Sequence, residues 1–359
     1  MFSRLSRLAF LTIAFSLLAS AQQRAKPDTS KLPKIKILAT GGTIAGAQAS
    51  TQQAGYQSGS FKVGDLINAV PQLQDIAQIS GEQVANIGSQ TMNNEVWLKL
   101  AKRLKEVLQD PSVDGVVITH GTDTMEETGY FLSLVEHSDK PVVLVGSMRP
   151  ATAISADGPM NLYNAVAVAG NPQAKGRGPL VVLNDEIHYA REVQKMNATE
   201  LNTFSSPNRG RAGVVNTGKA EFWTDLETRF GPRSEFSLDS QTDLPRVEIV
   251  YSYANLGRDA IDFLVQQGVK GIVLAGVGDG NTTDDAIEGL QDAVKKGVAV
   301  VRSTRTGSGV VARNIELNDD KLGFIASGDL NPQKARVLLM LGLMKTSDPK
   351  ALQEMFERY

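Results

Sequence analysis

Short, unbroken apolar runs alternate with helix-like segments along most of this 359-residue chain. A run that is apolar at every position, not at every second one, suits a parallel strand covered on both faces. Lys34–Ala39, Val113–Thr119, Pro141–Gly146 and Pro179–Leu183 have this character, and Asn94–Gln109, Thr124–Glu136 and Asn161–Ala169 read as the helices between them. Such alternation means an α/β fold on an open parallel sheet. The pattern fades over Glu221–Pro245, where charge, Ser, Thr and Pro accumulate as in a linker. It resumes with strands at Val247–Tyr253, Gly271–Ala275 and Val298–Ser303, and helices at Asp259–Gln267, Asp284–Lys296 and Pro332–Lys345. The expected architecture is a larger N-terminal α/β domain over 34–220 and a smaller C-terminal one over 246–359, joined by 221–245.

The segment before the first strand reads as an address. Arg4 and Arg7 give a positive start, Leu8–Leu18 is almost wholly apolar, and Ala19-Ser20-Ala21 fits a signal-peptidase site. A membrane anchor needs roughly 20 apolar residues, and this run is shorter. Residues 1–21 are therefore expected to be a cleaved export signal and 22–33 a polar, flexible leader, with the mature protein in a periplasm or outside the cell.

Composition narrows the chemistry. With no cysteine there is no disulfide, thiolate–zinc site or cysteine nucleophile. A net charge of -2 argues against a general nucleic-acid binder. His120, His137 and His188 stand singly, without ligand spacing, so no metal or other cofactor is expected. Hydroxyl, carboxylate and lysine chemistry remain.

Three loops carry those groups. Open α/β sheets bind ligands at the carboxyl ends of their strands. Ala39–Gly46 (ATGGTIAG) follows the first strand, and its two glycines free the backbone to bring the Thr43 hydroxyl over the sheet edge. It matches neither GxGxxG nor a P-loop. Thr119–Thr128 (THGTDTMEET) joins a strand to a helix. Thr124 with Glu127, or Asp123 with Glu126, has capping-box spacing, which leaves Gly121-Thr122 unexplained beside backbone N–H groups suited to a negative ligand atom. His120 reads as a structural hydrogen-bonder. Asn86–Asn94 (NIGSQTMNN) sets Ser89 and Gln90 at a strand end, as either an ordinary polar turn or a holder of a carboxylate or amide.

Thr40–Gly46 and His120–Thr128 resemble the two signatures of the bacterial asparaginase/glutaminase family. Val70–Leu73, Asn86–Gln90, Ser155–Ala165, Ala275–Asn281 and Leu330–Leu339 also match it. The likeness is to exported, type II members and spans nearly the whole mature length. It implies hydrolysis of L-asparagine to L-aspartate and ammonia through a threonine acyl-enzyme, with minor use of L-glutamine. By resemblance Thr43 is the nucleophile, activated by Tyr56 and by Glu316 arriving from a neighbouring subunit. Thr122 works with Asp123 and Lys195. Ser89, with backbone N–H groups near Gly88, resembles the site for the substrate carboxylate. Asp123, Gln90 and Glu316 resemble the site for its ammonium. Asn281 matches a position that is often serine where glutamine is readily accepted. A homotetramer with sites shared across an intimate dimer is implied as well. Thr91, where many members have an acid, and Ala47–Gly55 depart from the family pattern, which bears on affinity and loop closure. Two alternatives are a glutaminase-asparaginase using both amides comparably and a periplasmic solute-binding protein. The latter has no use for two threonines with a lysine and a tyrosine.

Overall fold

The computed structural model describes residues 29–48, 56–238 and 243–359. The export-signal segment 1–21 and most of the leader lie outside them, as does most of the Ala47–Gly55 departure. Of the first compact unit, Met1–Leu32, only a 3₁₀ turn at Thr29–Lys31 and Leu32 are described. Pro33–Tyr359 is the second unit and holds both sheets.

The larger sheet is built from β1 (Lys34–Gly41), β4 (Gln78–Ile87), β5 (Gly115–Thr119), β6 (Val142–Val145), β7 (Pro179–Leu183), β8 (Glu186–Tyr189), β11 (Gly213–Asn216) and β12 (Lys219–Phe222), in the order β12-β11-β8-β7-β6-β5-β1-β4. From β4 through β7 all pairs are parallel, and β8, β11 and β12 extend the far edge antiparallel. Every residue of β5, β6 and β7 is buried, which is why these strands are apolar throughout. The antiparallel edge was not expected. Its strands are four residues each and only part-buried, too short for a periodic signal. β12 also occupies the start of the stretch read as linker. Within the rest of that stretch, Phe230 and Phe236 are buried. Two small ladders complete the domain: β2 (Ala47–Gln48) with β3 (Tyr56–Gln57), and β9 (Gln194–Lys195) with β10 (Phe204–Ser205).

Helices α1 (Val63–Asn68), α2 (Asn94–Gln109), α3 (Met125–Val135) and α4 (Gly158–Ala169) flank this sheet. In α2, Trp97, Leu100, Ala101, Leu104, Val107 and Leu108 fall on one buried face, and the Asn93 side chain caps its start by accepting from Val96 N–H at 3.0 Å. Trp97 stacks on Phe131 of α3 at 5.0 Å between ring centroids.

The smaller sheet is wholly parallel, β13 (Val247–Tyr251), β14 (Gly271–Gly276), β15 (Ala299–Thr304) and β16 (Phe324–Ala326) in sequence order. Its helices are α5 (Asp259–Gln266), α6 (Asp284–Lys295), α7 (Asp319–Leu322), α8 (Pro332–Leu343) and α9 (Pro349–Arg358). Helix α8 is buried along almost its whole length, packing on β13 and β14 and against α3 of the larger domain. The chain thus has a larger, mostly parallel sheet domain and a smaller parallel one.

Candidate active site

In the larger sheet the chain steps from β1 outward to β4, then returns to the other side of β1 to lay down β5. The direction of winding reverses there, the point at which open α/β sheets form a ligand crevice at the carboxyl ends of their strands. The three loops singled out in the sequence leave β1, β4 and β5 at this point.

Two glycines let them close on one another. Gly42, at φ 84°, lies so near the second loop that an added Cβ would stand 2.3 Å from Gly121 N. A Cβ on Gly121 would in turn stand 2.5 Å from Ser89 Oγ. No side chain fits either gap, which accounts for glycine at both. Thr43 follows Gly42 in a 3₁₀ turn (Thr43–Ala45) and is buried, and Gly42 N–H donates to the Ile87 carbonyl at 3.0 Å.

Hydrogen bonds stitch the second loop to the third. Ser89 Oγ accepts from Asp123 N–H at 3.1 Å, and Thr124 Oγ1 donates to the Ser89 carbonyl at 2.8 Å. This corrects the capping expectation. Thr124 is the N-cap residue of α3, but its hydroxyl makes no cap bond and is spent on Ser89 instead. Asp123 does not cap either; its carboxylate pairs with Lys195.

Lys195 comes from β9, opposite Phe204 of β10 in an antiparallel ladder. Its Nζ donates to Thr122 Oγ1 at 2.9 Å and to Asp123 Oδ1 at 2.6 Å. Thr122 is buried, Lys195 is 16% exposed and Asp123 is 55% exposed, so the cluster opens to solvent on the Asp123 side. A hydroxyl touching an ammonium is stabilised toward its oxyanion form, and the α3 N-terminus immediately after it acts in the same sense.

Behind the loop, His120 is fully buried between Gly121 O, 2.7 Å from Nδ1, and Thr128 Oγ1, 2.9 Å from Nε2. Thr128 Oγ1 accepts from Trp97 Nε1 at 2.8 Å. Burial pushes the imidazole down to about 4, so it is neutral near pH 7, with Nδ1–H donating to the Gly121 carbonyl and Nε2 accepting from Thr128. That is the structural role read from the sequence.

The other candidates divide. Gln90 is exposed, with its amide beside Gly88. Tyr56 is placed through its backbone, paired with Gln48 in the β2–β3 ladder. Asn281 bridges back to Val277 at the end of β14. Glu316 sits exposed between β15 and α7, and among the described residues no hydrogen bond or ion pair joins it to the Thr122 cluster. One chain therefore brings together the loops of Thr43, Ser89, Thr122, Asp123 and Lys195, with Glu316 not bonded to them among the described residues.

Sequence reasoning gave Glu126 only a capping-box role and did not single out Lys334, yet both hold the segment that bears Lys195. Glu126 Oε2 accepts from Lys195 N–H at 2.9 Å, and Lys334 Nζ donates to the carbonyls of Arg191, at 2.6 Å, and Val193. The available signal for Lys334 was a charged side chain in a helix whose other positions are mostly apolar.

Fold and crevice define a two-domain α/β protein with a hydroxyl–lysine–carboxylate cluster at the switch point of its larger sheet. The family model described as Asparaginase, N-terminal, matches residues 34–228, and that described as Glutaminase/Asparaginase C-terminal domain matches 246–356. The chain belongs to the asparaginase/glutaminase family. It is 53% identical over 342 residues to L-asparaginase 2 of Bacillus subtilis, covering 95% of this chain and 90% of that protein. It is 48% identical to a probable periplasmic L-asparaginase of Haemophilus influenzae, over 99% of this chain and all of that one. The crystal structure of a probable cytoplasmic L-asparaginase from Campylobacter jejuni superposes with a TM-score of 0.89 at 51% identity, covering 91% of this chain and 100% of that one.

Proposed function

We propose that this protein is an L-asparagine amidohydrolase with a minor activity on L-glutamine. The observation that carries the reading is the contact of Lys195 Nζ with both Thr122 Oγ1 and Asp123 Oδ1, in a chain about half identical to proteins named L-asparaginase.

Thr43 Oγ1 attacks the side-chain amide carbon of L-asparagine while its proton is taken up with help from Tyr56. The tetrahedral oxyanion collapses, the C–N bond breaks, and the protonated nitrogen leaves as ammonia. Water then attacks the threonine ester, freeing L-aspartate and restoring the hydroxyl. Thr122, polarised by Lys195, lines the oxyanion side and orients the water. Ser89 and the N–H groups near Gly88 receive the substrate α-carboxylate. Asp123, Gln90 and a Glu316 from a second subunit receive its ammonium. Asn281 disfavours the longer amide, although one methylene discriminates by only about 1–3 kcal/mol, so some glutamine turnover accompanies the main activity. The working form is a homotetramer exported by cleavage near Ala21, and it needs no cofactor.

Ammonia release from L-asparagine, with kcat/KM compared for L-glutamine, tests the function. Tight amino-acid binding without ammonia would replace it with the solute-binding alternative. Equal kcat/KM for the two amides would make the protein a glutaminase-asparaginase. Light scattering and N-terminal sequencing of the exported protein check the assembly and the cleavage.

A further inference from the structure

The segment Arg191–Lys195, which delivers the lysine to Thr122, is held in part by buried polar groups of the smaller domain. Lys334, in the first turn of α8, is 1% exposed, and its Nζ donates to the carbonyls of Arg191 and Val193. Two residues further on, the Lys195 N–H donates to Glu126 Oε2. The other oxygen of Glu126 accepts from Nδ2 of Asn331, the N-cap of α8, at 3.3 Å. At the start of the segment, Arg191 donates to the Tyr359 carbonyl and to Asp329 Oδ1 at 2.7 Å.

An ammonium away from water is costly, and burial draws Lys334 down to about 8 while pushing Glu126 up, each partly offset by the charge of the other. A core position on α8 would be filled more cheaply by leucine. What the ammonium does that leucine cannot is bind two carbonyls two residues apart, fixing the twist of the backbone just before Lys195.

We propose that Lys334, with Glu126 and Asn331, is a positioning residue for Lys195: the smaller domain sets where the lysine stands against Thr122 and Asp123. The inference rests on the reading of Lys195 as part of the active site. Lys334 touches no reacting atom. Its effect runs through the backbone of Arg191–Lys195, and a misplacement of about 1 Å at a reacting group costs on the order of 10²-fold in rate.

A double-mutant cycle tests this. Lys334→Met should lower kcat on L-asparagine by about 10²-fold with KM changed far less, and should cost almost nothing further in a Lys195→Ala background. Leu339→Ala is the stability control, since its buried side chain lies against Gly271 at the first residue of β14. At comparable loss of Tm it should keep its kcat. Glu126→Gln cannot accept from both Lys195 N–H and Asn331 Nδ2, so it should show a smaller loss that also vanishes without Lys195. Because the chain has no cysteine, Lys334→Cys can be aminoethylated while unfolded and refolded, returning an ammonium to this one position. Recovery of kcat in that product, with wild type carried through the same treatment, is expected. Equal kcat losses with and without Lys195, or an equal loss in Leu339→Ala, would overturn the proposal. Should wild type release no ammonia, the functional reading fails by itself. Acetic anhydride labelling of Lys195, read by peptide mass spectrometry, then decides: faster labelling in Lys334→Met than in Leu339→Ala supports positioning, and equal labelling refutes it.

Discussion

The loops after β1, β4 and β5 and the loop between β15 and α7 are both rigidly founded, but they present their functional candidates in opposite ways. Thr43, Ser89 and Thr122 are buried, and their loops close on one another through glycine contacts and bonds such as Asp123 N to Ser89 Oγ. Glu316 stands at an exposed tip. The base below that tip is buried and polar. Arg302 and Asp319 form a fully buried pair with contacts of 2.6 and 2.7 Å, and the same guanidinium bonds the carbonyls of Asp279 and Ala312. One loop set turns its candidates inward, and the other holds its candidate outward above a buried ion pair.

The largest expected effect lies on the inward side. Thr43→Ala should abolish ammonia release while leaving the fold and substrate binding, and full activity would remove Thr43 as nucleophile. Refolding it together with Glu316→Ala sharpens the contrast. If Glu316 serves a neighbour, random hybrids regain about a quarter of wild-type activity, because one site of each mixed pair holds both intact residues. No recovery would return Glu316 to its own chain, and full activity of Glu316→Ala by itself would leave it no role.

On the outward side, Arg302→Met leaves Asp319 buried and unpaired, and should cost about 3–5 kcal/mol in urea unfolding. A loss below about 1 kcal/mol would mean the loop base is softer than its contacts imply. Thr122→Val keeps the shape and removes the hydroxyl that Lys195 contacts, and kcat should fall roughly 10²–10³-fold. A fall in binding alone would move Thr122 from the chemistry to recognition.

The smallest effect is a pH dependence behind the inward loops. His120 is held near 4 when folded, against 6.5 unfolded. Its contribution is therefore complete above the unfolded value and is lost as pH falls toward the folded one, because the unfolded chain takes the proton first. The stability advantage of wild type over His120→Gln should shrink by about 1 kcal/mol between pH 7 and 5.5. A constant difference would show that the ring titrates as it does in the unfolded chain.

Much of this was legible beforehand. Asn94–Gln109 and Pro179–Leu183 have the bounds read for them, since a one-faced helix leaves a strong periodic trace and a wholly buried strand an unbroken apolar run. The two threonine loops stood out through their glycines and their place after strands. Thr124 did not read correctly. A hydroxyl before a helix has the same signature whether it caps the helix or reaches Ser89, which is 35 residues away in sequence. Lys334 was invisible for a related reason. Its value depends on two carbonyls more than 140 residues earlier, and no local pattern records so distant a partner.

The grip of α8 on Arg191–Lys195 also orders events in time. On refolding, the strands that lead to Thr43, Ser89 and Thr122 should pair before residues 332–343 dock. A chain at that stage owns its hydroxyls but lacks the brace that sets the lysine. Competence for hydrolysis should then trail the return of helical signal.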